Sequence, residues 1–387
     1  MLMKTFQSED DSPLHQTVAR GYEFKTGGKA IAVGFTDQQL SAHAGSVTFW
    51  AWLHSARWAE AMGRQLPHRE PASNNHLLPL DKALGFMHGV LCDARKLTQI
   101  AYFRRDPLVP ELLGIRRMAS QSSMSRFFKG FASAGANLSC FRPLWGWCLQ
   151  RLPSRREGYT IDLDSTKLLH SGVQQEGVQA AYTRMGKKPC LHPLLAIVAE
   201  ARLVAQFWLR PGTASCGSNA VAFFLDLWHH FPRHLRVKGV RADCGFCLPE
   251  LLTLWEQLQV PYVVVMRLVQ PVQYLLRSNM VWTATELAGT EVSELQYQGK
   301  GWAHPRRLIL VRHRLVERPE AAGKALLDVP GYVFQTLLTS LPPANRPWPC
   351  GTITTAEPIV RTSSRSCSTV SLCRRCACAD SGRRRPL

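Results

Sequence analysis

Two acidic strand ends carry the chemistry this sequence can do. In Tyr159-Thr160-Ile161-Asp162-Leu163-Asp164-Ser165-Thr166, apolar and acidic residues alternate. Period two is the signature of a strand, so Asp162 and Asp164 project from one face while Ile161 and Leu163 pack on the other. Two carboxylates on one face repel, and a divalent cation relieves that repulsion. Downstream, Val240-Arg241-Ala242-Asp243-Cys244-Gly245-Phe246 sets another aspartate at the end of a strand, just before a glycine-containing turn. Carboxylates gathered at strand ends offer hard oxygen ligands and room for phosphate oxygens, which is what a Mg²⁺ (or Mn²⁺) site for phosphodiester chemistry requires. The plain alternative is that each carboxylate caps a turn, and it weighs most for Asp162.

Other residue sets invite weaker readings. Cys244-Gly245-Phe246-Cys247 has the spacing of half a zinc site, but no second pair lies in a plausible frame nearby. Cys373, Cys376 and Cys378 crowd the far end of the chain. His229, His230 and His234 cluster with Arg233 and Arg236 in a pattern that suits a solvated helix end better than catalysis. Arg184, Lys187 and Lys188 close a polar, glycine-containing stretch and read as a basic hairpin or loop. Arg306, Arg307, Arg312 and Arg314 lie in an alternating stretch that puts several on one face, where phosphate contact and a solvated surface are the two readings. Residues 112–129 read as a helix, a short turn and a second helix. Ser120 is the candidate N-cap, and Gln121, Ser122, Ser125, Arg126 and Lys129 line a polar face able to enter a major groove. A capped surface helix without a DNA role is the bland reading.

The whole chain agrees with an anionic partner. Its 387 residues carry a net charge of +19, with a pI near 9.8, which points to nucleic acid or an acidic membrane surface. Membrane is the weaker option, because the longest apolar stretch, Leu191 to Leu209, is broken by His192, Pro193, Glu200, Arg202 and Gln206. Lys4, Glu9, Asp10 and Asp11 leave no apolar segment for a secretory signal near the start. Twelve irregularly spread cysteines in a chain of this size fit a reducing compartment better than a disulfide framework. A soluble, intracellular protein is expected.

The elements that must position these residues follow in order. Residues 1–30 are polar with little periodicity and read as a flexible arm. Helices fit Asp37 to Met62, whose tryptophans Trp50, Trp52 and Trp58 read as core, and again Leu80 to Tyr102, up to the break at Asp106-Pro107. Phe141 to Arg156 looks like a connector. Beyond the first acidic strand, Leu191 to Leu209 holds two strands with Glu200 and Arg202 near their junction, and Asn219 to His230 is an amphipathic helix. Val237 to Ala242 is a strand, Leu248 to Leu258 a helix and Tyr262 to Met266 a β-branched strand. Strands alternating with helices imply an α/β sheet with parallel members, and ligands in such sheets bind beyond the strands' carboxyl ends, where Asp243 falls. From Gln270 to Leu315 the pattern turns to short strands, and Gly331 to Leu341 holds one more.

Tyr159 to Thr166, Leu191 to Thr213 and Val240 to Phe246 together resemble the catalytic domain of bacterial insertion-sequence transposases of the DDE type, closest to the insertion sequence 1380 family. The resemblance runs from about Phe35 to about Pro342. It implies a ribonuclease-H-like mixed sheet with flanking helices (157–341), carrying a β-rich insertion at about 270–316 and preceded by a helical DNA-binding region (31–140). It also implies that two aspartates and a glutamate hold the metals, and the Asp-Ser-Thr order favours Asp164 over Asp162 as the first of them. Partners implied are double-stranded DNA, at element ends and target, and further copies of the chain on that DNA; the location implied is the bacterial cytoplasm, at the nucleoid.

Residues 342–387 depart from that pattern. Pro342, Pro343, Pro347 and Pro349 break any helix, and only Glu357 and Asp380 are acidic there. The family has a helix with a tyrosine, an arginine and the catalytic glutamate at this point. If codons for Gly351 to Ser371 are chosen among synonyms and read from the third base of each, the string HDYNSRADCENVIKELQYGF becomes available, with those three residues at the family's spacing. A frameshift that removes the third acidic residue is therefore expected, and with it impaired strand cleavage. The alternative is a catalytically dead DNA-binding remnant that competes for element ends. An unfolded product is a third outcome.

Overall fold

The computed structural model describes residues 4–6, 18–26, 29–36, 41–69, 73, 76–183, 185–278, 280–314 and 331–343. The chain divides into two compact units, Met1–Trp147 and Cys148–Leu387.

In the first unit, β1 (Lys4–Phe6), β2 (Val18–Thr26) and β3 (Lys29–Thr36) form an antiparallel sheet in that order. Regular backbone therefore runs through much of the stretch read as a flexible arm. The signal was there: Ile31, Val33 and Phe35 alternate, and Gly-Gly, the dipeptide at 27–28, is of the type that favours a hairpin turn. Helices follow as α1 (Val47–Ser55), α2 (Trp58–Gln65), α3 (Pro79–Leu91), α4 (Leu97–Tyr102), α5 (Leu108–Leu113), α6 (Gln121–Lys129) and α7 (Ala134–Leu149). The helical stretch expected from Leu80 to Tyr102 is two helices, parted where Asp93 takes a left-handed conformation at φ 59°. Pro79 at the first turn suits α3, since the amide it lacks has no helical partner there. Trp50, Leu53, Ile100, Phe103, Val109, Met118 and Met124 build the main core of this unit. Of the tryptophans read as core, Trp50 is buried, whereas Trp52 is 55% exposed. The connector expected over Phe141 to Arg156 begins as the second half of α7, with Pro143 inside the helix.

The second unit is organised on a nine-stranded mixed sheet. Its strands are β4 (Tyr159–Ser165), β8 (Leu194–Val198), β9 (Leu203–Trp208), β10 (Val237–Ala242), β11 (Tyr262–Met266), β12 (Thr283–Ala284), β13 (Thr290–Tyr297), β14 (Arg306–Arg314) and β15 (Tyr332–Thr339), in the order β12-β13-β14-β15-β11-β10-β4-β8-β9. Among the described strands of this sheet, only β10 with β4 and β10 with β11 are parallel. A separate three-stranded sheet holds β5 (Leu168–Leu169), β7 (Gly186–Leu191) and β6 (Gln179–Thr183), the hairpin read around Lys187 and Lys188. Helices α8 (Ala220–His230), α9 (Pro249–Gln257) and α10 (Gln270–Arg277) complete the unit. Ile161, Leu163, Val240 and Val264 from the central strands pack with Phe224 of α8 and Trp255 of α9, whose rings meet edge to face at 5.7 Å.

The β-rich stretch expected as an insertion at about 270–316 is continuous with this sheet. Strand β15 pairs with both β11 and β14, so β12 to β14 extend the sheet sideways. Leu308, Ile309, Leu310 and Val311 are all fully buried, as befits a strand covered on both faces. Among the described residues, no helix is long and apolar enough to cross a membrane.

Candidate active site

The parallel register of β4 and β10 sets the two aspartates together. Arg241 pairs with Asp162 and Ala242 with Leu163. One residue further along both chains come Asp164, at the end of β4, and Asp243, just past β10. Both carboxylates thus stand at the carboxyl edge of neighbouring parallel strands, the edge at which such sheets bind ligands. Asp164 is 2% exposed, and its Oδ1 accepts from the Ser165 amide at 2.7 Å. Asp243 starts a 3₁₀ turn over Cys244–Phe246, with Oδ1 accepting from the Gly245 amide at 2.9 Å. Burial pushes the Asp243 carboxyl up from its ordinary pKa, and the Gly245 amide and the Arg267 cation beyond β11 offset only part of that. Carboxyls at neighbouring strand ends are of the residue type that takes a divalent cation.

Asp162 is differently placed. Its Oδ1 accepts from Arg241 Nε at 2.6 Å and its Oδ2 from Arg241 Nη2 at 2.7 Å, a bidentate ion pair. A carboxylate held on both oxygens by a guanidinium is charge-neutralised, so the Arg241 pair competes with the metal-ligand role expected for Asp162. The next residue on that strand face, Thr160, donates its hydroxyl to Glu200 at 2.8 Å.

A buried polar chain backs Asp164, and sequence reading missed it. His192 Nδ1 lies 2.6 Å from the Ala214 carbonyl, and its Nε2 lies 3.1 Å from Ser165 Oγ. A carbonyl can only accept, so Nδ1 carries the proton, Nε2 accepts from the Ser165 hydroxyl, and the Cys216 thiol, 3.1 Å from that hydroxyl, donates to it. Burial lowers the His192 pKa, consistent with the neutral ring this requires. Arg210, 5% exposed, ties the same loop down: Nε donates to the His192 carbonyl at 3.0 Å, and Nη1 to the carbonyls of Ser215 at 2.8 Å and Ser218 at 2.5 Å. The loop closes on the Asp243 turn at Gly245, where any Cβ would stand 2.4 Å from that of Cys216. His192, Arg210 and Cys216 are far apart in sequence, and only Arg210-Pro211-Gly212, a turn signal, hinted at them.

Cys244 and Cys247 flank that turn, and burial raises both thiols, Cys247 to about 11. Among the described residues they join no group of three or more side chains with metal-holding geometry. Nor, among those residues, does a third carboxylate gather with Asp164 and Asp243. Glu357 and the rest of the tail after residue 343 lie outside the described residues.

The expected DNA contacts divide into two groups. Ser120 Oγ accepts from the Ser123 amide at 3.2 Å, capping α6 as its type suggests. Met124 and Phe127 of that helix are buried, while Gln121, Arg126 and Lys129 are exposed. Lys187 and Lys188 are exposed on β7, and Arg184 lies outside the described residues. Arg306 and Arg312 are corrected. Arg306 is 4% exposed and donates to both oxygens of Glu256 at 2.6 and 2.8 Å, with Trp302 stacked 5.1 Å away. Arg312 pairs with Glu291 at 2.6 Å and lies over the rings of Trp282 and Tyr332 at 4.3 and 4.6 Å. Alternation had shown which faces these arginines share, but not that acidic and aromatic neighbours fill those faces. The histidines at 229 and 230 bond back to carbonyls at the end of α8, as a helix end does.

Residues 24–323 match the family model described as transposase DDE domain group 1. No curated protein matches the chain. Among solved structures, it is similar to a piggyBac transposase synaptic complex with hairpin DNA, at 11% identity and a TM-score of 0.36, over 83% of this chain and 68% of that one.

Proposed function

The chain belongs to the DDE transposase family, transposase DDE domain group 1, and from that premise we propose that it is the transposase of a bacterial insertion sequence of the 1380 family, cutting DNA at the element's ends and joining it to a target. The observation that carries this reading is the register of β4 and β10, which aligns Asp164 and Asp243 at one edge of the sheet. The ribonuclease-H-like identity of that sheet rests on the same support: an antiparallel run β9-β8-β4 leading into parallel β10 and β11, with acidic residues at the strand ends.

Two neighbouring carboxylates fit Mg²⁺ or Mn²⁺, which take oxygen ligands and complete their shells with water and phosphate. When bound, the metal activates the attacking water or 3′-hydroxyl and neutralises the leaving oxygen. The protein's own residues do the positioning. The Ser165 and Gly245 amides orient the two carboxylates, the His192–Ser165–Cys216 chain holds the strand end behind them, and Arg267 sets a cation beside Asp243 for a substrate phosphate. The DNA is double-stranded and is held by exposed basic residues, Arg126 and Lys129 foremost, with further copies of the chain on the same DNA in the bacterial cytoplasm.

Cleavage by this chain is expected to be weak, because two carboxylates hold metals less firmly than three. The exposed polar face of α6, capped and independent of the acidic edge, favours the second reading: a remnant that binds element ends without cutting them. The two readings are separated by expressing this chain and a version with the second-frame tail restored, then measuring Mg²⁺-dependent nicking of DNA carrying the element's ends. Nicking by the restored version alone, abolished by Asp164→Ala or Asp243→Ala, supports the proposal. Equal nicking by both versions overturns the account of the tail, and nicking by the restored version that survives both substitutions overturns the site.

A further inference from the structure

A set of side chains of metal-ligating type lies in the first unit, whereas the acidic edge belongs to the second. His43, Cys92 and the fully buried His88 each offer a ligand atom, and the three atoms all lie within 4.8 Å of one another. His88 and Cys92 are four residues apart at the end of α3, so the helix turn stacks them on one face. Their closest atoms, His88 Nε2 and Cys92 Sγ, are 3.7 Å apart. A tetrahedral zinc with Zn–N of about 2.05 Å and Zn–S of about 2.3 Å has an N···S edge of ~3.6 Å. The pair already stands at that separation.

We propose that His43, His88 and Cys92 bind a zinc-class divalent cation through the nitrogen, nitrogen and sulfur atoms they turn toward one another. The fourth position opens onto a cavity lined by His43, Cys92, Asp93, Gln99 and Asp106, which gives the ion an entry path and leaves room for a water ligand. Asp106 is fixed in that wall by the Ser41 hydroxyl at 2.6 Å, and accepts from the amides of Leu108 and Val109. Imidazole and thiolate donors select zinc-class ions over Mg²⁺, so this ion is distinct from the one proposed at the acidic edge. It joins the turn before α1 to the end of α3.

One contact opposes the ion. Trp50 Nε1 donates to His88 Nδ1 at 3.2 Å, which puts the ring proton of the metal-free protein on Nε2, facing Cys92. Ligation through Nε2 moves that proton to Nδ1 and breaks the indole bond. A single net hydrogen bond is small against a thiolate and two imidazoles closing on zinc, so the balance favours the ion. The burial that raises the Cys92 thiol is overcome in the same way, because a coordinating thiol is deprotonated by the metal.

The test uses the full chain carrying Cys350→Ser, Cys367→Ser, Cys373→Ser, Cys376→Ser and Cys378→Ser, so that no tail thiol contributes to the signal. Titration with Co²⁺ is expected to give a thiolate-to-cobalt charge-transfer band and the strong visible bands of four-coordinate cobalt, at one ion per chain, displaced by Zn²⁺ and not by excess Mg²⁺. Cys92→Ser should remove the charge-transfer band, and His43→Ala should weaken Zn²⁺ binding at least 100-fold in competition with a chromophoric chelator. Circular dichroism checks that each variant is folded. If Cys92→Ser does not fold, zinc protection of the Cys92 thiol from alkylation, read by peptide mass, replaces it. Absence of the band in the folded parent, a band that persists in Cys92→Ser, or a thiol alkylated equally with and without zinc overturns the proposal. Nicking activity plays no part in these readouts.

Discussion

Asp162 and Asp164 stand two residues apart on one strand face and are held in different ways. Asp162 faces a guanidinium that occupies both of its oxygens, while Asp164 stands at the strand end beside Asp243. Replacing Asp164 or Asp243 by Ala in the tail-restored chain should lower nicking at least 10³-fold, since each removes a charged metal ligand. Asp162→Asn should instead leave the Mg²⁺ requirement unchanged and lower stability by about 2 kcal/mol, because Arg241 then loses its ionic partner. Urea melts and Mg²⁺ titrations of the three variants check both statements. Loss of Mg²⁺ dependence in Asp162→Asn would return Asp162 to the site.

At the scale of elements, α6 and β14 both carry arginines, and their packing leaves Arg126 of α6 exposed and buries Arg306 of β14. On α6, Met124 and Phe127 take the core face and leave Arg126 and Lys129 in solvent. Phosphate contacts release counterions, so changing both to Ala should weaken DNA binding across all sequences and reduce the salt slope by about 2, with the melting temperature unchanged. On β14, Arg306 is locked to Glu256, so Arg306→Ala should lower stability and leave the salt slope alone. Band shifts across a salt series distinguish the two. The turn after β10 gives a third expectation. Gly245→Ala would drive a methyl group against Cys216, at 2.4 Å from its Cβ. Interiors do not absorb such an overlap without moving backbone, so nicking should fall in the tail-restored chain even though both aspartates remain, and proteolysis of the 211–219 loop should speed up.

Across the second unit, the widened sheet is fastened to its central helix by one carboxylate. Glu256 on α9 accepts from Arg306 of β14 and from the Tyr262 hydroxyl of β11 at 2.7 Å, and lies 3.1 Å from His304. Burial works to raise its pKa, but the Arg306 and Tyr262 bonds and the nearby cations prevail and hold it below its ordinary 4.5. A carboxyl whose folded pKa is depressed adds stability above its unfolded pKa and loses it as pH falls through the folded value. Glu256→Gln should therefore cost roughly 3 kcal/mol at pH 7, and the gap to the parent should close as pH falls below 4.5. Denaturant melts at neutral and acidic pH measure this, and a gap that stays constant with pH would exclude the ionic account.

The order of strands and helices in the second unit was legible in the sequence, because period-two and helical patterns are local. Tyr159 to Ser165, Val237 to Ala242 and Tyr262 to Met266 appear as strands where their residues say they should. Asp243 could be singled out because it closes a strand, and Asp164 because its Asp-Ser-Thr order resembles the family's first motif. Ser120 could be read as a cap from its type and the pattern after it. What the sequence could not supply is which distant residues meet. The pairing of Asp162 with Arg241, the burial of Arg306 against Glu256, and the meeting of His43 with His88 and Cys92 each join residues many positions apart. So does the joining of β12 to β14 to the main sheet through β15. Local pattern follows from backbone geometry and side-chain type within a few residues. Charge neutralisation, burial and ligand grouping depend on packing across the chain, and only the tertiary structure decided them.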